Sequence, residues 1–190
     1  MGKSASGKDH IYARLAAHEG LGLKKLVLYT TRPIRAEEEN GKQYYFVDDK
    51  KLEEFRESGN LIEARAYHKI HGIWTYFTAD DGQVDLENAD YLGIGTLESY
   101  VKMREYYGEE ALCPIYIEVE DGTRLIRAVE REGTQEHPGY EELCRRFLAD
   151  AKDFSEENLK NAGITRRFEN KDMNVCLEEI KLFIQRAILI

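Results

Sequence analysis

Gly2, four further residues and then Gly7-Lys8 open the chain, directly ahead of an amphipathic stretch with Ile11 and Leu15 four apart. This spacing constrains the fold more than any other feature. Glycines let a backbone curl until successive N–H groups point inward at an anion, and a helix starting beside the second glycine adds its positive end. Gly2, Lys3, Ser4, Ala5, Ser6, Gly7, Lys8 and Asp9 therefore read as a phosphate loop. Lys8 would reach the β- and γ-phosphates of a nucleoside triphosphate. The plain alternative is a flexible tail that happens to hold glycines. Asp9 stands where such a loop usually carries Ser or Thr. A carboxylate can also hold a hard cation, so Asp9 is the candidate Mg2+ ligand. A loop of this kind follows a buried strand, and here only Met1 precedes it. The expectation is that about six to eight apolar residues lie upstream, so that the first core strand is missing from this chain.

Beyond the loop, apolar runs at 25–29 and 43–47 predict strands, and Asp48 can cap a short helix carrying Leu52 and Phe55. Residues 61–67 and 73–78 predict a hairpin around His71-Gly72, with His68 and His71 facing solvent and Trp74 packing the hairpin. Strands and helices then alternate: strand 91–95, helix 97–107, strand 112–119, helix 123–132, a long helix from 140 toward 161, strand 164–168 and helix 173–187. Alternation of this kind predicts an α/β core with a mostly parallel sheet. Residues 32–80 break the pattern and read as a small α+β lobe inserted into one domain.

The chain has 190 residues, 27 basic against 36 acidic, for a net charge of −9. A protein that binds duplexes through phosphate neutralisation would be basic, so nucleic acid is not an expected partner. No apolar run approaches the ~18–20 residues that span a bilayer, and no membrane partner is expected. Cys113, Cys144 and Cys176 are scattered and odd in number, which predicts incidental thiols in a reduced, cytoplasmic setting.

Thr30-Thr31-Arg32-x-x-Arg35 followed by Asn40-Gly41-Lys42-x-Tyr44-x-Phe46-Val47 carries a more specific signal. With the phosphate loop before it and an Arg-rich stretch later, it resembles the guanylate kinase family over nearly the whole chain. The resemblance implies a P-loop kinase fold of strand order 2-3-1-4-5, with a core over 1–31 and 81–190, a monophosphate-binding lobe over about 32–80 and a helical lid over about 127–146. It implies an ATP-dependent nucleoside monophosphate kinase that uses Mg2+ and converts ATP and GMP to ADP and GDP. Arg32, Arg35 and Tyr44 would then hold the acceptor phosphate, as guanidinium forks and a phenol match a dianion. Glu63 would accept from guanine N–H groups. The family tyrosine after the hairpin falls near Thr75 and Tyr76, and Tyr76 is the candidate.

Arg146 matches the family's lid arginine best and Arg131 comes next, with Arg127 and Arg145 as weaker matches; the plain alternative for any one of them is a surface ion pair with nearby glutamates. Arg166, Arg167 and Asn170 fall at the family's adenine-side loop. Three positions depart from the pattern. Leu28 replaces a serine, and Gly93 and Gly95 replace an acidic pair. These departures leave open a catalytically weak guanylate-kinase-like binding module, or a kinase for a different phosphorylated acceptor. They also suggest that Asp9 takes over a metal-organising role.

Overall fold

The computed structural model describes residues 1–69 and 72–188. His71 and the hairpin tip predicted around it therefore lie outside the described residues. The chain divides into two compact units: Met1–Leu21 with Ile94–Tyr100 and Cys113–Ile190, and Gly22–Gly93 with Val101–Leu112. Residues 32–80 fall wholly within the second.

In the first unit, α1 (Lys8–Ala16) follows the phosphate loop, and β7 (Tyr116–Glu118) pairs in parallel with β8 (Arg167–Glu169). Met1 continues this ladder on the other edge of β7. Its N-terminal amine donates to the Ile115 carbonyl at 2.7 Å, and its carbonyl accepts from the Ile117 N–H at 2.9 Å. The loop is thereby launched from a sheet. Around the sheet lie α4 (Asp121–Gly133), α5 (Tyr140–Asp153), α6 (Glu156–Asn161) and α7 (Met173–Ile188). Ile11, Leu15, Tyr116, Phe168, Cys176 and Ile180 form the buried interior. The long helix predicted over 140–161 is two helices. The first ends at Phe154, and the Ser155 side chain accepts from the Asn158 N–H to start the second.

The second unit holds a short parallel pair, β1 (Lys24–Lys25) with β6 (Tyr91–Leu92), and a four-stranded sheet of order β3-β2-β5-β4. Its members are β2 (Tyr29–Thr30), β3 (Tyr45–Phe46), β4 (Leu61–Lys69) and β5 (Gly72–Ala79), and α2 (Asp49–Glu57) packs against it. The strand predicted over 25–29 thus belongs to two separate sheets, and those predicted over 43–47 and 91–95 shrink to two residues each. The hairpin is longer than predicted. Strand alternation sends Phe77 and Ala79 into a cluster with Tyr29, Leu52 and Phe55, and turns Tyr76 and Thr78 to the opposite face. Tyr29 stacks on Phe77 with centroids 5.1 Å apart. A register shift between Leu61 and Glu63 inserts Ile62 as an extra residue, so that Glu63 lies opposite Thr78.

Among the described residues no helix is long and apolar enough to cross a membrane. Cys113 and Cys144 are free and exposed, while Cys176 is free and buried, its thiol pushed up to about 11 by burial.

Candidate functional site

The phosphate loop needs its two glycines for packing reasons visible in the structure. A Cβ on Gly2 would lie 2.7 Å from the Ile117 carbonyl oxygen. One on Gly7, which has φ +82, would lie 2.6 Å from the Asn170 amide nitrogen. Asn170 is buried and donates to the Ser6 carbonyl at 2.8 Å, bracing the loop from below. Asn170, which the resemblance places at the adenine-side loop, thus supports the phosphate loop. Gly7 caps α1 without a side chain, leaving the first-turn N–H groups uncovered for an anion. Lys8 Nζ lies 3.3 Å from Asp9 Oδ2, and Asp9 is exposed. Ala5 takes φ 61, the one non-glycine residue with positive φ among those described.

Two helices of the same unit are tied to this loop by residues that the sequence pattern did not single out. Asp150 on α5 accepts from the Ser4 N–H at 2.7 Å, and Asp121 at the start of α4 pairs with Lys3 at 3.1 Å. Arg124 links the two acids. It is 1% exposed, donates to Asp121 at 2.6 Å, lies 3.5 Å from Asp150, and stacks 3.7 Å over the Phe147 ring. A small cavity beside this group is lined by Ser4, Arg124, Arg131, Arg146 and Phe147. Two buried guanidinium nitrogens on its border, Arg124 Nη2 and Arg146 Nε, have no hydrogen-bond partner among the described residues. Arg131 and Arg146 are thus brought to the phosphate loop. Arg145 instead pairs with Glu142 at 2.6 and 2.7 Å, and Arg127 donates to the Asn170 carbonyl at 3.3 Å. Arg167 is held between Glu118 and Glu156, and Arg166 lies over the Phe168 and Phe183 rings.

In the second unit, Arg32, Tyr44 and Tyr76 converge. Arg32 is 3% exposed, and its Nε donates to the Tyr76 hydroxyl at 3.1 Å. The Tyr44 and Tyr76 rings meet edge to face at 5.4 Å, with the Arg32 guanidinium 5.7 Å from the Tyr44 centroid. Thr75 is occupied elsewhere, its backbone bonded to Thr31. The Asn40-Gly41 turn places Tyr44: Asn40 Oδ1 accepts from the Phe46 N–H, and Gly41 adopts φ +81.

The fork of Arg32 is already filled. Nη1 donates to Glu38 at 2.8 Å and to the Pro33 carbonyl at 2.9 Å, and Nη2 donates to Glu38 at 2.7 Å. With Nε on Tyr76, this leaves one of five guanidinium N–H groups for a ligand. A phosphate taking both arms of the Arg32 fork would first have to displace Glu38. Glu38 also accepts from the Arg35 N–H at 2.9 Å, so one carboxylate orients both arginines. The Arg32 hydrogen bonds hold the Glu38 carboxyl at about 2, well below its ordinary 4.5. Arg35 itself is exposed.

Glu63 is buried at the next pair along the same hairpin face, where Thr78 Oγ1 donates to it at 2.8 Å and Arg65 Nε at 2.9 Å. Leu28 is buried, and Gly93 and Gly95 offer no side chain. Among the described residues no group of three or more His, Cys, Asp or Glu side chains could cage a metal ion. A lone carboxylate still suits Mg2+, which takes one or two carboxylates with water and substrate phosphates.

The guanylate kinase family model matches residues 1–74. The guanylate kinase of Porphyromonas gingivalis is 26% identical over 187 residues, covering 97% of this chain and 94% of that protein. That of the Wolbachia of Brugia malayi is 39% identical over 71 residues, a local match spanning 36% of its length. In three dimensions, a crystal structure of guanylate kinase from Anaplasma phagocytophilum superposes with a TM-score of 0.61 at 23% identity, covering 97% of this chain and 82% of that one, which speaks to the fold alone. A P-loop kinase fold, a built phosphate loop and a family match that begins on that loop agree: the chain resembles guanylate kinases in its first 74 residues and, at 26% identity, over nearly its whole length.

Proposed function

We infer that the chain is an ATP-dependent guanylate kinase, acting in the cytoplasm with Mg2+ and transferring the γ-phosphoryl group of ATP to GMP. The observation that carries this reading is the built phosphate loop: Gly2 and Gly7 at positions no side chain can enter, Lys8 at an uncovered helix start, and Arg131 and Arg146 brought to the same loop.

Phosphoryl transfer asks for in-line positioning and for cations around the moving group, with little covalent chemistry from the protein. Lys8 would neutralise the β- and γ-phosphates, and Arg131 and Arg146 would hold the group in transit. Arg35, the remaining Arg32 N–H, and the Tyr44 and Tyr76 hydroxyls would fix the acceptor phosphate as nucleophile. Glu63 would accept from the base. Asp9 would contribute one oxygen to Mg2+, which would supply positive charge against the phosphates when bound.

Nucleotide-dependent melting tests this reading. ATP and GMP should each stabilise the chain, by about 2.7 kcal/mol at a hundred times the dissociation constant. Lys8→Ala should lose the ATP effect and keep the GMP effect. Stabilisation of the unmodified chain by GMP alone would instead support a binding module.

A further inference from the structure

Glu63 does not face the acceptor site alone. Arg65 follows two residues later on β4, so that both side chains share a face. The extra residue at Ile62 turns Glu63 to that face. Arg65 Nε donates to Glu63 Oε2 at 2.9 Å, and Arg65 Nη2 to Oε1 at the longer distance of 3.3 Å. Their side chains are 2% and 11% exposed. A carboxylate only accepts and a guanidinium only donates. The hairpin therefore presents an acceptor and a donor array side by side.

That order is complementary to one purine edge. Guanine carries donors at N1 and the 2-amino group, followed by acceptors at O6 and N7, and paired guanidinium donors are suited to O6 and N7. Adenine has an amino donor at position 6 and would meet Arg65 donor to donor. On this face of the hairpin the Thr78 hydroxyl spends its one hydrogen on Glu63 Oε1 at 2.8 Å, which leaves the Arg65 guanidinium as the donor array beside the carboxylate.

Resting on the guanylate kinase reading, we propose that Arg65 is a specificity-determining residue, donating to O6 of the acceptor guanine while Glu63 accepts from N1–H and the 2-amino group. Arrival of the base replaces the longest contact of the pair, Nη2 to Oε1. A base N–H takes its place on the carboxylate, and the released guanidinium N–H turns to O6. Charge-assisted bonds are exchanged and none is lost.

The experiment compares kcat/KM for GMP, 6-thio-GMP and IMP in the unmodified chain and in Arg65→Met. Sulfur at position 6 is a poor acceptor, whereas IMP keeps O6 and lacks the 2-amino group. The unmodified chain should prefer GMP over 6-thio-GMP at least tenfold. In Arg65→Met that preference should fall below about threefold, while the preference for GMP over IMP stays within about threefold of its original value. These ratios are independent of the fraction of folded protein. The double variant E63Q/R65M removes both charges of the Glu63–Arg65 pair together, so the GMP to 6-thio-GMP ratio can still be read if Arg65→Met does not fold, and it should collapse in the same way. An unchanged ratio in either variant would show that Arg65 only holds Glu63 in place and would overturn the proposal. Absence of GMP phosphorylation by the unmodified chain is a separate result, one that contradicts the kinase reading and takes the proposal with it.

Discussion

Glu38 governs how two arginines can be used. It lies in a run of three acids, Glu37-Glu38-Glu39, which as sequence reads only as a solvated face; the fold folds the middle one back onto a buried guanidinium. Because Arg32 holds this carboxyl at about 2, below 4.5, its ionisation contributes stability that is fully present above about pH 4.5 and is lost as pH falls toward 2. Glu38→Gln should therefore be less stable than the unmodified chain at pH 7, with the gap closing at pH 3, in denaturant titrations at the two values. Parallel losses at both would contradict this. Ala5 makes a second prediction at the same scale. An alanine at φ 61 pays a steric cost of about 1 kcal/mol that glycine avoids. Ala5→Gly should raise the melting temperature by roughly 2–4 °C, and an unchanged or lower value would show that the surrounding loop absorbs the strain.

At the scale of elements, α4, α5 and the phosphate loop form one electrostatic assembly. Asp150 is the acceptor of the Ser4 amide, so Asp150→Ala leaves that N–H without its partner and Arg124 without half of its charge balance. KM for ATP should rise about tenfold, with KM for GMP unchanged, since Asp150 touches only the loop side. Equal increases in both would point to general unfolding. The hairpin offers a contrast. Phe77 is fully buried between Tyr29 and Phe55, and Phe77→Ala should cost about 3–5 kcal/mol in chemical denaturation. A loss below about 1 kcal/mol would show that this cluster is not the core of the lobe. The glycines of the loop were legible because spacing alone dictates their role. The braces Asp121 and Asp150 were not, because they lie more than a hundred residues away and carry no local pattern; Asn170 was singled out, but not for the bond to the Ser6 carbonyl. The break at Phe154-Ser155 had a signal, a serine ahead of two glutamates, that the continuous helical periodicity obscured.

On the scale of the whole molecule, alternation of strands and helices pointed to the α/β class, and the Thr30–Val47 motif with the phosphate loop carried the resemblance to guanylate kinases. Strand lengths were not legible, since a short apolar run such as 25–29 carries no record of which neighbour each residue pairs with. Tyr76 could be separated from Thr75 only by the hairpin register, which sets Tyr76 on the face of Arg32. The central claim is that both nucleotide grips serve one reaction. ADP release measured with Mg·ATP against GMP, dGMP, AMP, CMP and UMP tests it most directly. Turnover confined to the two guanine acceptors, and abolished by Lys8→Ala, is the expected result. No turnover with GMP, or equal turnover with AMP, would contradict the account.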